Sequence, residues 1–128
     1  MAGDEGVHPT TAEGLAALRP VQEGGTVTFG TQTHPADGNV GLILTTPARA
    51  RELSSDPMVK VTVRGFGQSR ADIKYMPEAP IEAARKALDH AGVSLADIAA
   101  IKSHNPFAVN DIAFARATGA DVMSMNNY

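Results

Sequence analysis

The sequence predicts an α/β domain with a largely parallel or mixed sheet, because strand-like and helix-like segments alternate along the chain. Three segments carry that prediction. Val59-Lys60-Val61-Thr62-Val63-Arg64 alternates β-branched and polar residues at period two, as a strand does. Asn39 to Thr45 is nearly all apolar, as in a strand covered on both faces. Ile81, Ala84, Leu88 and Ala91 recur at helical spacing on one face, and Gly92 is placed to end that helix.

Residues 1 to 24 are polar and carry Pro9 and Pro20; Thr11 to Leu18 predicts one short helix with Leu15 and Leu18 on one face. The segment has too little to bury alone and reads as an arm or the end of a preceding domain. The pattern changes at Gly25. Thr26 to Phe29 alternates as a short strand, Gly30 to Pro35 is a loop, and Asp37-Gly38 is a turn or helix cap. After the apolar run, Thr46-Pro47 opens a helix through Leu53, which ends at the Ser54-Ser55-Asp56-Pro57 break.

The Val59 strand leads into a long loop, Gly65 to Pro80, of the length that often carries function. The Ile81–Ala91 helix follows, then Ser94-Leu95-Ala96-Asp97 with capping-box spacing. Ile98 to Ser103 is the next expected strand. Asn105 is placed to cap a helix beginning at Pro106, where a missing N–H costs nothing, and running to about Thr118 before Gly119. Ala108, Ile112 and Ala115 are its expected buried face, and Asp121 to Met125 a last strand.

Composition narrows the function. The 128 residues are enough for one domain, with 43% apolar and 20% charged residues. A net charge of −3 and 5% aromatic residues give neither a basic footprint nor a stacking surface for nucleic acid. The longest clean apolar run, about Val40 to Leu44, is far short of the roughly 20 residues of a membrane helix. The acidic start Met1-Ala2-Gly3-Asp4-Glu5 carries no secretory pattern, so the cytoplasm is the expected location. Zero cysteines exclude disulfides, thiolate metal sites and a cysteine nucleophile within this chain.

Of the four histidines, none is spaced as a metal pair, so no metal site is expected. His90 shares a helix face with Asp89 and Lys86, as a solvated residue or a partner for the helix dipole. His8 lies in the arm, where nothing points to a role. His34 and His104 differ in falling on loops at expected strand ends, where open α/β sheets bind ligands. For either one alone, a hydrogen-bonded loop histidine is the reading to prefer over a catalytic role. Gly65-Phe66-Gly67 does not continue into a dinucleotide fingerprint, and no Walker or G-x-S-x-G motif is present. Asp111 and Asp121 read as surface or cap residues.

Three segments taken together resemble the thiolase family of acyl-CoA acyltransferases. Leu18-Arg19-Pro20, Gly25-Thr26-Val27-Thr28 with Gly30-Thr31-Gln32-Thr33, and Asp37-Gly38 follow the order of the family's L-R-P, G-T-V-T-A-G-N-A-S and D-G-A segments. Ala84-Arg85-Lys86-Ala87-Leu88 with Ala91-Gly92 is similar to R-K-A-L-x-x-A-G. His104-Asn105-Pro106-Phe107-Ala108 falls where thiolases carry N-E-A-F-A or, in the sterol-carrier-protein type, H-D-C-F, the nearer pattern.

The resemblance implies a thiolase-like fold: residues 1–24 end its loop domain and residues 25–128 form an incomplete C-terminal half-domain with a mixed sheet. It implies that His104 orients a water in the oxyanion hole of the thioester carbonyl. It implies that Thr33 lies near the pantetheine arm of coenzyme A and that Phe107 lines the acyl pocket. Phe29 stands where a small residue is usual, His34 where the pattern has glycine, Asn105 where it has an acidic residue and Pro106 where it has a small one. Val7 falls near a position that is basic and contacts coenzyme A in some members.

The nucleophilic cysteine, the G-H-P histidine that activates it and a second cysteine are not in this chain; Asn126-Asn127-Tyr128 stops shortly before G-H-P is expected. The expectation is therefore part of an enzyme that makes or cleaves 3-oxoacyl-CoA, inactive in isolation, with an acyl-CoA thioester as substrate and no other cofactor. Its implied partners are a missing thiolase half or homodimer mate and, in sterol-carrier-type relatives, a small OB-fold acyl-CoA-binding protein. Two alternatives stand beside it. One is a non-catalytic module that pairs its sheet edge with a thiolase subunit. The other is an inert α/β piece prone to aggregate through Asn39 to Thr45.

Overall fold

The computed structural model describes residues 8–34 and 37–127, so Val7 and the rest of residues 1–7, with Pro35, lie outside the described part. Four α-helices form among the described residues: α1 (Ala12–Ala16), α2 (Pro47–Leu53), α3 (Ala79–Ala91) and α4 (Ala108–Thr118). Short 3-10 turns at Phe29–Thr31, Ile73–Glu78, Leu95–Asp97 and Val122–Ser124 lie between and after them.

Local chemistry sets most of these boundaries. Thr11 caps α1 by accepting from the Gly14 N–H at 3.0 Å. Thr46 caps α2, with Pro47 in its first turn. Gly92 and Gly119 end α3 and α4 in the left-handed region, at φ of 68° and 79°. Ser94 and Asp97 form the expected capping box: the Ser94 N–H and hydroxyl donate to Asp97 Oδ2 at 2.8 and 2.7 Å.

The core is small and lies in the second half of the chain. Ile81 on α3, Phe114 on α4 and Met125 are buried together, with Ala84, Ile101, Ala115 and Ala120 against them. The Ile73–Glu78 turn packs on both helices. Gly65 and Gly67 let the loop lie directly on α3: a β-carbon would sit 2.3 Å from the Ala87 carbonyl oxygen at Gly65 and 2.1 Å from that of Ala83 at Gly67. This accounts for two glycines that match no nucleotide motif.

The mixed sheet does not form among the described residues. Their one β pairing outside the helices is an isolated antiparallel bridge between Gln32 and Phe107. The segments 39–45, 59–64 and 98–103 run without ladder partners, and Val40, Leu42, Val61 and Val63 are 73–92% exposed. A strand is held by its neighbour's hydrogen bonds and by cover on its faces; 39–45 and 59–64 have no ladder and lie exposed, and 98–103 has core cover at Ile101 but no ladder.

Four local expectations are corrected. Thr28 and Thr31 exchange capping-box bonds, which turns Phe29–Thr31 into a 3-10 turn where a strand was expected to end. Asp121 Oδ1 accepts from the Met123 N–H at 3.0 Å, closing a turn at Val122–Ser124 in place of the last strand. The last helix starts at Ala108 with Phe107 as its cap, not at Pro106, because the Asn105 amide is turned to Asp111. That helix buries Asn110 and Phe114, with Ala115 half-buried, while Ala108 and Ile112 are exposed.

Candidate functional site around His104

The site is built on the short connection between Ile101 and α4. Ser103 and Asn105, the neighbours of His104 on either side, are both half-buried and both bonded into one polar group. The Ser103 hydroxyl donates to Asp111 Oδ1 in a short bond. The Asn105 amide donates to Asp111 Oδ2 at 3.1 Å. Asn126 completes the group: its amide nitrogen donates to Asp111 Oδ2 at 3.0 Å and to Ser103 Oγ at 2.9 Å, while its Oδ1 accepts from the Ser103 N–H at 2.9 Å.

Asn126 reaches this position by adopting φ 58°, the single left-handed non-glycine conformation among the described residues. Its own N–H donates to the Ile101 carbonyl at 3.0 Å, so backbone and side chain together tie the chain's end to the His104 connection. Asp111 lies in the first turn of α4, where the helix dipole favours a negative charge. Hydrogen bonds to a charged acceptor each contribute about 1.5–3 kcal/mol when shielded from water.

His104 itself is exposed and makes no hydrogen bond among the described residues. Its placement is set through its neighbours. On the downstream side, Pro106 confines Asn105 to extended backbone. The Pro106 carbonyl accepts from the Thr33 N–H at 2.9 Å, next to the Gln32–Phe107 bridge. Two expected site segments, residues 32–33 and 104–107, are therefore brought together.

The remaining expected residues fall around this junction. Phe107 and Val109 line a groove of about 300 Å³ with Val21, Thr26 and Val27 of the N-terminal segment. Leu15 and Leu18 lie over Gly30, where a β-carbon would come within 2.5 and 2.9 Å of them, and hold α1 against the turn that leads to Thr33. Phe29 is 71% exposed. His34 is not drawn toward His104 by any bond; its ring meets that of His8 edge-on, centroids 5.3 Å apart. His90 is exposed in the last turn of α3, and its Nδ1 accepts from the Phe66 N–H at 3.2 Å, across the glycine contact.

Sequence reasoning missed Asp111, Asn126 and Ser103 as a group. Their separations of 8 and 23 residues match no motif, and each is a common surface residue type. It also missed Asn110, buried with its Oδ1 unpartnered among the described residues. A second groove, about 400 Å³ and lined by Ile43, Leu44, Ala50, Arg51, Val59 and Val61, contains none of the expected site residues. No group of three potential metal ligands occurs among the described residues, and none of their helices is long and apolar enough to cross a membrane.

Comparison with known proteins supplies the context. The family model described as thiolase, C-terminal domain, matches residues 57–128. The chain is 39% identical over 117 residues to a 3-ketoacyl-CoA thiolase of Colwellia psychrerythraea, an alignment covering 89% of this chain and 30% of that protein. It is 38% identical over 112 residues to a 3-ketoacyl-CoA thiolase of Idiomarina loihiensis, covering 85% and 28%. An acetyl-CoA acetyltransferase of Syntrophomonas wolfei is 36% identical over 126 residues, covering 97% and 31%. The chain thus spans under a third of the length of these curated relatives.

Proposed function

This chain belongs to the thiolase family, and from that membership we propose that it forms part of a thiolase-type acyl-CoA acyltransferase, one that cleaves 3-oxoacyl-CoA or condenses acetyl-CoA. Attack of a thiolate on a thioester carbonyl puts negative charge on the carbonyl oxygen, and a preorganised donor lowers that barrier. In this reading His104 orients the water that meets the oxyanion, Thr33 neighbours the pantetheine arm, and Phe107 lines the acyl pocket. Phe29, His34 and Asn105 shape the pocket's rim.

The observation that carries the reading is the pairing of two distant segments. The Thr33 N–H bonds the Pro106 carbonyl, and His104 stands exposed beside that junction with both neighbours anchored. With no cysteine in the 128 residues, the attacking sulfur comes from another stretch of polypeptide. The same outside stretch completes the mixed sheet over residues 25–128, with residues 1–24 as the end of the loop domain. The cytoplasm is the proposed location.

The test is a chimaera in which this sequence replaces the matching segment of the Colwellia psychrerythraea thiolase. The chimaera is expected to thiolyse acetoacetyl-CoA, the isolated chain to give no turnover, and His104→Ala in the chimaera to lose about 10²–10³ in rate. A folded chimaera indifferent to His104→Ala overturns the reading.

One observation favours a second reading, a non-catalytic module that pairs with a thiolase subunit. Leu42, Ile43, Leu44 and Val61 are each at least 80% exposed, and unpaired apolar segments invite strand addition. Size-exclusion chromatography with and without a thiolase subunit distinguishes the two. A chain that stays monomeric in both runs removes the second.

A further inference from the structure

We propose that Asp111 is a positioning residue for His104, fixing the connection that carries the imidazole without itself touching the reacting atoms. The inference deepens the thiolase reading and rests on it. Its basis is that one carboxylate holds both neighbours of His104: Ser103 on Oδ1 and Asn105 on Oδ2. Both side chains that flank His104 are tied to one anchor, so displacing either neighbour stretches a charge-assisted bond.

The polarity of the group is uniform. The Asn126 amide donates to Ser103 Oγ and to Asp111 Oδ2; the Ser103 hydroxyl donates onward to Asp111 Oδ1; the Asn105 amide donates to Asp111 Oδ2. Every side-chain proton in the group is directed to Asp111, either at once or through the Ser103 hydroxyl, so the position calls for an acceptor-only side chain. An asparagine there has the same shape but turns a donor NH2 toward donors. The anchor is also stiff, because Asp111 belongs to the first turn of α4 and that helix carries Phe114 of the core.

The consequence reaches His104 because the ring has no polar restraint of its own among the described residues. The region its nitrogen can reach relative to a thioester oxygen is set by where the backbone holds its Cα. A misplacement of about 1 Å in such a donor costs on the order of 10²-fold in rate.

The experiment uses the chimaera described above, taken as wild type with its nucleophilic cysteine replaced by alanine so that the probe is not consumed, with acetyl-CoA labelled at the thioester carbonyl carbon and unlabelled coenzyme A as probes. The readouts are the carbonyl 13C displacement on binding, the affinity for coenzyme A and the unfolding midpoint. Wild type is expected to displace the carbonyl resonance downfield, and His104→Ala to abolish that displacement. Asp111→Asn is expected to abolish it too, while coenzyme A binds as before.

If Asp111→Asn keeps the full wild-type displacement while His104→Ala loses it, the positioning role is overturned and the thiolase reading stands. If wild type binds no coenzyme A, or His104→Ala keeps the displacement, the thiolase reading falls and the positioning role with it. Should Asp111→Asn fail to fold, Asn126→Gly is read in its place. It keeps the left-handed backbone, removes the amide from the group, and is expected to diminish the displacement; an unchanged displacement overturns the proposal.

Discussion

The Thr33 N–H donates to the Pro106 carbonyl oxygen at 2.9 Å, joining the N-terminal loop to the residue two places beyond His104. It is a single backbone bond, reinforced by the neighbouring Gln32–Phe107 bridge, and it closes the candidate site. Replacing Thr33 with proline removes the donor while leaving the His104 group untouched. A stability loss of about 0.5–1.5 kcal/mol is expected, as for one partly exposed hydrogen bond. Nuclear Overhauser contacts between residues 32 and 107 should vanish in that variant while those between Ser103 and Asn126 persist.

The glycine contact with α3 makes a sharper prediction. Gly67→Ala brings a methyl group to 2.1 Å from the Ala83 carbonyl oxygen and 2.7 Å from the Ala87 nitrogen, both backbone atoms that cannot swing aside. The loop must lift, at a cost of roughly 1–3 kcal/mol. Urea unfolding measures the cost, and loss of the Phe66–His90 hydrogen bond, read from the His90 ring nitrogen shifts, reports the lifting.

Phe114 is 8% exposed and lies at the centre of a core with two other buried apolar residues. Phe114→Ala is expected to cost about 3–5 kcal/mol, comparable with the whole stability of a small domain. The variant should show no cooperative thermal transition, whereas Leu42→Ala, at a residue 84% exposed, should leave the midpoint unchanged.

Asp97 offers a test by titration. The Ser94 hydroxyl, and after it the Ser94 N–H, hold its carboxyl below the ordinary aspartate value. The folded group releases its proton at lower pH than the unfolded one. Its contribution is therefore complete above the unfolded value, about 3.9, and is lost as pH falls through the folded value below it. A carboxyl 13C titration should find Asp97 depressed in wild type and raised toward the ordinary value in Ser94→Ala.

The helices and their ends were legible because their signals are local. Gly92, Gly119, Thr46-Pro47 and the Ser94–Asp97 box each act within a turn, and each lies where the sequence puts it. The sheet was not legible to the same degree. The alternation in Val59 to Arg64 says that the segment suits a strand, but a ladder needs a second strand, and none pairs with it among the described residues.

At the candidate site the sequence singled out His104 and Asn105 but misassigned the Asn105 side chain. Its amide had two options, the free N–H groups of α4 or the carboxylate of Asp111, and the charged acceptor won. Asp111 passed for a surface or cap residue because its partners, Ser103 and Asn126, are near only in three dimensions.

Among the described residues every buried one lies at or after Ile81, and the three apolar ones lie between Ile81 and Met125. The folding nucleus therefore belongs to the C-terminal half, where contacts are close in sequence and quick to close. On that order the Thr33–Pro106 bond and the groove at Phe107 are expected to form afterwards. A nascent chain emerging N-terminus first presents Leu42, Ile43 and Leu44 before Ile81, Phe114 and Met125 have been made, and that interval is when those apolar residues are open to chaperones.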